Sequence, residues 1–188
     1  GTILTKDGKR MSKSLGTGID PLVLIEKYGA DATRFGIIWQ AMGNQDIRWD
    51  EASVLAGKKF ANKIWNAARF VIGRNGNPST GSGQAKTEAD TIILEKLAST
   101  KKILEQNIAS YDFGQGLHTL YDFFWHDFCD VYLEASKDQA NENTNQILFT
   151  VLLESLKMLH PFMPHITEEI YQKMPITNKG WLISANWD

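Results

Sequence analysis

Phe60-Ala61-Asn62-Lys63-Ile64-Trp65-Asn66-Ala67-Ala68-Arg69-Phe70 decides how this chain of 188 residues is read. At about 100° per residue, Phe60, Ile64, Ala67 and, one step on, Val71 fall on one side of a helix. That side is predicted to be buried. Lys59, Lys63 and Asn66 fall on another side, and Phe70 falls with them, flanked by Arg69 and Asn62. A phenylalanine among cations and amides fits two readings. It is a platform on which an unpaired base stacks while Arg and Lys serve the phosphates, or it is a side chain covered by a neighbouring helix while the lysines stay in water.

The helix carrying this stretch is predicted from about Glu51 to Ile72, with Asp50 as its cap. Upstream, Asp20 before Pro21 reads as a cap followed by proline at the first helical position, opening a short helix that Gly29 closes near Tyr28. A second helix starts at Asp31 and runs to about Met42. Gly43-Asn44-Gln45-Asp46 is a turn, and Ile47-Arg48-Trp49 links it to the next cap.

Downstream, residues 73–87 are rich in Gly, Asn, Ser, Thr and Pro and read as a flexible linker. No strand precedes these glycines and no Lys-Ser/Thr follows at the right spacing, so they are not a phosphate loop. Three long helices are expected over 88–109, 112–138 and 143–160, then a shorter one from Pro164 to Met174. In the middle one, Leu117, Leu120, Phe124, Phe128, Val131 and Ala135 form an apolar stripe expected in the core. Gly180-Trp181-Leu182-Ile183 reads as a short strand. The fold class is all-α: a helical bundle preceded by a loop and short connecting helices.

Composition narrows the function. The chain is 43% hydrophobic and 22% charged, as in an ordinary globule with a sizeable core, and no apolar run approaches a membrane span. No basic-then-apolar leader is visible. The single cysteine, Cys129, excludes an internal disulfide and fits a reducing, cytoplasmic setting. His118, His126, His160 and His165 lack metal-type spacing, so solvated or hydrogen-bonded histidines and no metal site are expected. Residues 1–105 carry 16 Lys/Arg against 11 Asp/Glu and residues 106–188 carry 4 against 11. An acidic partner such as nucleic acid is therefore expected on the first part.

The most basic knot of that part is Arg10-Met11-Ser12-Lys13-Ser14, between the turn Asp7-Gly8 and the exit Leu15-Gly16-Thr17-Gly18. Two cations and two hydroxyls in five residues suit a polyphosphate. Taken alone they equally suit a solvated basic loop or a kinase substrate site.

With loop and helices in order, the chain resembles the C-terminal part of a class I aminoacyl-tRNA synthetase. The loop looks like that class's KMSKS signature, with Arg10 where the first Lys is usual. Asp31-Ala32-Thr33-Arg34 resembles its DALR-like tetrapeptide. Gln45-Asp46-Ile47-Arg48, the Phe60–Phe70 stretch, Phe128-Cys129-Asp130-Val131-Tyr132-Leu133-Glu134 and His160-Pro161-Phe162-Met163-Pro164 look most like the valyl branch. The isoleucyl and leucyl branches share Asn-Lys-x-Trp-Asn and stand as the alternative, beside a tRNA-binding module without a catalytic role.

The resemblance implies two regions: residues 1–48 as the end of a catalytic region, and residues 49–188 as an anticodon-binding bundle. It implies ATP-dependent joining of valine to its tRNA, with Mg²⁺ accompanying ATP. Lys13 would neutralise the departing pyrophosphate, Ser12, Ser14 and Arg10 would help hold phosphates, and Met11 would anchor the loop. Arg69, Phe70 and Leu133, with Lys63 and Asn66, would line the pocket for anticodon bases. In such enzymes the nucleotide-binding fold, amino-acid pocket and editing domain lie before the position of Gly1. The isolated chain is therefore expected not to activate valine by itself.

Overall fold

The computed structural model describes residues 1–12, 14–43, 45–74, 86–138 and 142–187. Its elements are β1 (Ile3–Leu4), α1 (Pro21–Tyr28), α2 (Ala30–Trp39), β2 (Ile47–Arg48), α3 (Glu51–Gly73), α4 (Glu88–Ala109) and α5 (Phe113–Asp122). There follow a π-helical segment (Phe123–Leu133), α6 (Glu134–Ser136), α7 (Glu142–Leu159), α8 (Pro164–Lys173) and a 3₁₀ turn (Leu182–Ser184). Among the described residues no helix is long and apolar enough to cross a membrane.

The local signals act as expected at the helix starts. The Asp20 carboxylate accepts the Leu22 N–H at 2.9 Å, Pro21 opens α1, and Gly29 at φ +94° closes it. Asp50 caps α3 through the Ala52 N–H. Thr87 and Asp90 form a reciprocal capping box on α4. Gly73 belongs to α3 and Thr87 to the cap of α4, so both ends of the expected linker are ordered structure; 75–85 lie outside the described residues.

Three expectations are corrected. Ile47-Arg48 is not a bare link: it pairs in parallel with Ile3-Leu4. The second helix ends at Trp39, where the Gln40 side chain bonds the Gly36 carbonyl and accepts the Asp50 N–H. The tail Gly180–Ile183 is not a strand, because Ser184 and Ala185 N–H groups bond back to Trp181 and Leu182.

A fourth correction has the clearest physical cause. Val131 is 64% exposed and Ala135 is exposed as well, although both were expected in the core stripe. From Phe123 to Leu133 the backbone takes i→i+5 turns, which add residues per turn and rotate every later side chain relative to a 3.6-residue wheel. Tyr132, Leu133 and Ser136 take the buried positions instead.

The main core joins α2, α3, α4, α5, the π segment, α7 and α8 around Phe35, Phe60, Ile64, Leu120, Phe124 and Leu152, all at most 1% exposed. A smaller cluster, Leu24, Ala32, Trp49 and Val54, sits under the N-terminal loop. Helices α2 and α3 approach closely because Gly36 and Gly57 present no side chain at their crossing. A Cβ at Gly36 would stand 2.6 Å from Val54 Cγ2, and one at Gly57 2.8 Å from the Phe35 ring.

The Asp31–Arg34 tetrapeptide ties α2 to the far end of the chain. Asp31 is buried and accepts the His165 and Ile166 N–H groups at 3.2 and 2.6 Å, capping α8 from a distant helix. Arg34 donates to the Pro161 and Phe162 carbonyls. Arg34 on α2 thus supplies donors to two backbone carbonyls of the turn before α8.

Candidate nucleic-acid interface

Helix α3 delivers its faces as the wheel predicts. Phe60, Ile64, Ala67 and Val71 are buried, Asn62, Asn66 and Arg69 are exposed, and Lys63 and Phe70 are half-buried. Against this second face lies the C-terminal half of the π segment. Between them is a shallow pocket of about 180 Å³, lined by Lys63, Asn66, Phe70, Leu133, Glu134 and Lys137 among others. Four sequence-predicted residues, Lys63, Asn66, Phe70 and Leu133, therefore meet in one place. Arg69 does not line the pocket; it stands beside it on the open face of α3, with no ion pair among the described residues.

Residues outside the sequence-predicted site set flank the pocket on both sides. Asp130 accepts a hydrogen bond from Lys63 Nζ at 2.7 Å, and the same ammonium lies 5.0 Å from the centre of the Trp125 ring. Lys63 is thus a paired cation. Its hydrogen bond holds the Asp130 carboxyl below the usual carboxylate range, with a further contribution from His126 at 3.3 Å. On the other side Arg74, capping α3, places its guanidinium carbon 5.1 Å from the centre of the Phe70 ring and donates to the Ser136 carbonyl at 2.7 Å. One face of Phe70 is backed by that cation. Cys129 also lines the pocket; burial pushes its thiol up to about 12, so it is an inert apolar wall at neutral pH.

The N-terminal loop forms a second candidate site. Arg10 bridges back to Leu4 through the backbone, and Thr5 and Lys9 close the Asp7-Gly8 turn. Beyond it the loop folds on itself: the Ser12 N–H donates to Thr17 Oγ1 at 3.0 Å, and the Ser12 and Ser14 hydroxyls are 2.7 Å apart. Met11 packs on the smaller core cluster, beside a cleft of about 370 Å³ that also takes in Arg10, Ser12, Leu24, Ile37 and Trp49. Lys13 lies outside the described residues. Among the described residues no group of three or more His, Cys, Asp or Glu side chains is placed to hold a metal. His118 Nε2 is 3.1 Å from the Trp39 carbonyl oxygen and His160 Nδ1 is 2.8 Å from Thr167 Oγ1, so both histidines are tied into the fold.

The structure is thus a helical bundle with a pocket on its longest helix, joined to a basic loop with two serines. The chain belongs to the family described as the anticodon-binding domain of tRNA ligase, whose model matches residues 90–188. Residues 1–50 match the model for tRNA synthetases class I (I, L, M and V).

Similarity to individual proteins runs through the whole chain. It is 43% identical to the valine–tRNA ligase of Thermotoga maritima over 97% of this chain and 21% of that protein. It is 41% identical to that of Lactiplantibacillus plantarum, over 98% of this chain and 22% of the relative. The chain thus spans about a fifth of the length of the curated relatives it matches. Among solved structures, the agnB2 LeuRS of Agrobacterium radiobacter K84, in a ternary complex with tRNA and LeuAMS, superposes with a TM-score of 0.81. It covers 100% of this chain and 23% of that one, at 19% identity, a likeness of fold.

Proposed function

We propose that this chain supplies the anticodon-recognising bundle and the ATP-handling loop of a valine–tRNA ligase. Such an enzyme joins valine to ATP with release of pyrophosphate and then passes the valyl group to the 3′ end of its tRNA. The observation that carries the reading is the pocket on α3. One face of Phe70, with Leu133 and Asn66, is offered to an unpaired base, while Arg69 stands outside, where a phosphate would lie, with no ion pair among the described residues.

In the loop, Lys13 would neutralise the negative charge that grows on the departing pyrophosphate, which lowers the barrier because the charge is largest in the transition state. Ser12 and Ser14, now bonded to each other, would turn their hydroxyls to phosphate oxygens, and Met11, held on the smaller cluster, would anchor the loop. Arg10 keeps the charge of the lysine usual there but not its compact geometry. Mg²⁺ would arrive with ATP. The partners are ATP and valine tRNA, and the single buried cysteine suits the cytoplasm.

The test is binding of valine tRNA against the same tRNA with a swapped anticodon, by filter binding at low salt. Tighter binding of valine tRNA, weakened by Phe70→Ala and indifferent to Lys13→Ala, is expected. Equal affinity for the two tRNAs overturns the anticodon assignment.

A further inference from the structure

The π segment runs for 11 residues, although this winding is ordinarily a single turn set into an α-helix. Its buried residues come in pairs, Phe123 with Phe124, Phe128 with Cys129 and Tyr132 with Leu133, so the winding decides which side chains face the bundle. Wound as an α-helix, the same stretch turns Val131 inward and Leu133 away. Leu133 and Cys129 are wall residues of the α3 pocket, and the shape of that wall therefore depends on the register.

A wider turn gives up contacts along its own axis, so it persists where neighbours hold it. Polar ties reach the segment from two helices: Lys63 of α3 to Asp130, Lys96 of α4 to Asp127, and Tyr132 to Asp90 of α4. The first two join partly exposed side chains and contribute little. The third is buried, with Tyr132 at 3% and Asp90 at 0% exposure and the hydroxyl donating at 2.6 Å. Its acceptor is fixed in turn, because the other Asp90 oxygen takes the Thr87 N–H and the Thr144 hydroxyl stands alongside. An α winding would carry the Tyr132 hydroxyl off Asp90 and leave a buried carboxylate short of a donor, a cost that the π register avoids.

We propose that Tyr132 is the positioning residue of the α3 pocket: its hydroxyl, bound to Asp90, holds the π register, and that register places Leu133 and Cys129 in the wall beside Phe70. Without the hydroxyl the two windings are equal at Asp90, and the better-filled α turn is favoured. Val131 then takes the inward place, and the pocket loses the leucine from its wall. The consequence for RNA rests on the anticodon reading of the pocket; the hold on the register does not.

The experiment is thiol labelling with N-ethylmaleimide in the Cys129→Ala chain, given one new thiol by Val131→Cys or by Leu133→Cys. Position 131 is exposed and 133 buried, so the first is expected to react fast and the second slowly. Adding Tyr132→Phe is expected to reverse that order, slowing the first about tenfold and speeding the second about tenfold. In the otherwise unaltered chain, Tyr132→Phe should weaken binding of a labelled valine anticodon hairpin about fivefold by fluorescence anisotropy. Circular dichroism confirms that the helices are retained.

An unchanged labelling order overturns the proposal. So does faster labelling at both sites, which reports loss of order and not a change of winding. A reversed order with hairpin affinity unchanged, while Phe70→Ala still weakens binding, also overturns it, because the register then does not position the pocket. If a swapped-anticodon hairpin binds as tightly as the valine hairpin and Phe70→Ala is ineffective, the anticodon reading fails, and reversed labelling still leaves the hold of Tyr132 on the register standing.

Discussion

Arg74 lies over the ring of Phe70, its guanidinium carbon 5.1 Å from the ring centre, and it is held there by the carbonyl and hydroxyl of Ser136 at 2.7 and 3.1 Å. The cap of α3 is thereby fastened to the end of the π segment and α6, and Phe70 is braced from behind. A ring braced in this way would lose little freedom on accepting the stacked base proposed above, which is the benefit of preorganisation in binding.

Arg74→Ala removes the brace and leaves the buried Ser136 carbonyl without this donor. A loss of about 2–4 kcal/mol in urea denaturation is expected, from two charged hydrogen bonds to Ser136 and one cation–π contact. Anticodon-hairpin affinity should fall by a smaller factor than with Phe70→Ala, where the stacking surface itself goes, worth about 1–3 kcal/mol. Equal affinity losses would mean that Arg74 contacts RNA directly.

The π segment makes a prediction that a 3.6-residue wheel inverts. Val131→Lys, at an exposed site, should change stability by no more than about 0.5 kcal/mol. Leu133→Ala, at a position 7% exposed, should cost about 2–4 kcal/mol. Denaturant midpoints of the two variants decide between the registers.

Asp90 and Tyr132 form the polar knot at one end of the bundle. Asp90 is fully buried; one carboxylate oxygen accepts from the Tyr132 hydroxyl at 2.6 Å and the other from the Thr87 N–H at 2.9 Å, with Thr144 alongside. Burial, then the bond to Asp90, pushes the Tyr132 hydroxyl well above its ordinary range. Tyr132→Phe keeps the ring and deletes one charged-acceptor bond, so about 1.5–3 kcal/mol of stability should be lost. An unchanged melting curve would show that the knot contributes nothing net.

His160 gives the chain a pH dependence of known sign. Its ring is bonded to Thr167 and feels the charges of Glu168, Asp31 and His165. Burial lowers its pKa below the ordinary 6.5, partly opposed by the two carboxylates. The unfolded chain therefore takes up the proton first as pH falls. The stabilising contribution is complete above about 6.5 and is lost as pH drops through the folded value. Melting temperature should decline across that window in the wild type and less steeply in His160→Gln; parallel profiles would remove His160 from the linkage.

Much of this was legible in order along the chain. Asp20-Pro21, Asp50 and Thr87…Asp90 act within one turn of their own helices, so caps, starts and the two faces of α3 follow from local chemistry and a 3.6-residue period. Phe70 could be placed on the polar face for the same reason. What a wheel cannot supply is the partner across the gap. That Lys63 is spent on Asp130, that Arg74 backs Phe70, and that Asp31 caps a helix 134 residues away are all set by packing between distant elements.

The sequence by itself determined the helix starts, the basic loop and the two faces of α3, because those depend on neighbours within a few residues. Only the tertiary structure decided which of those side chains form a pocket. The register there passes through the π turns of 123–133, which move Leu133 inward and Val131 outward, and the choice is made by how the π segment packs against α3 and α4.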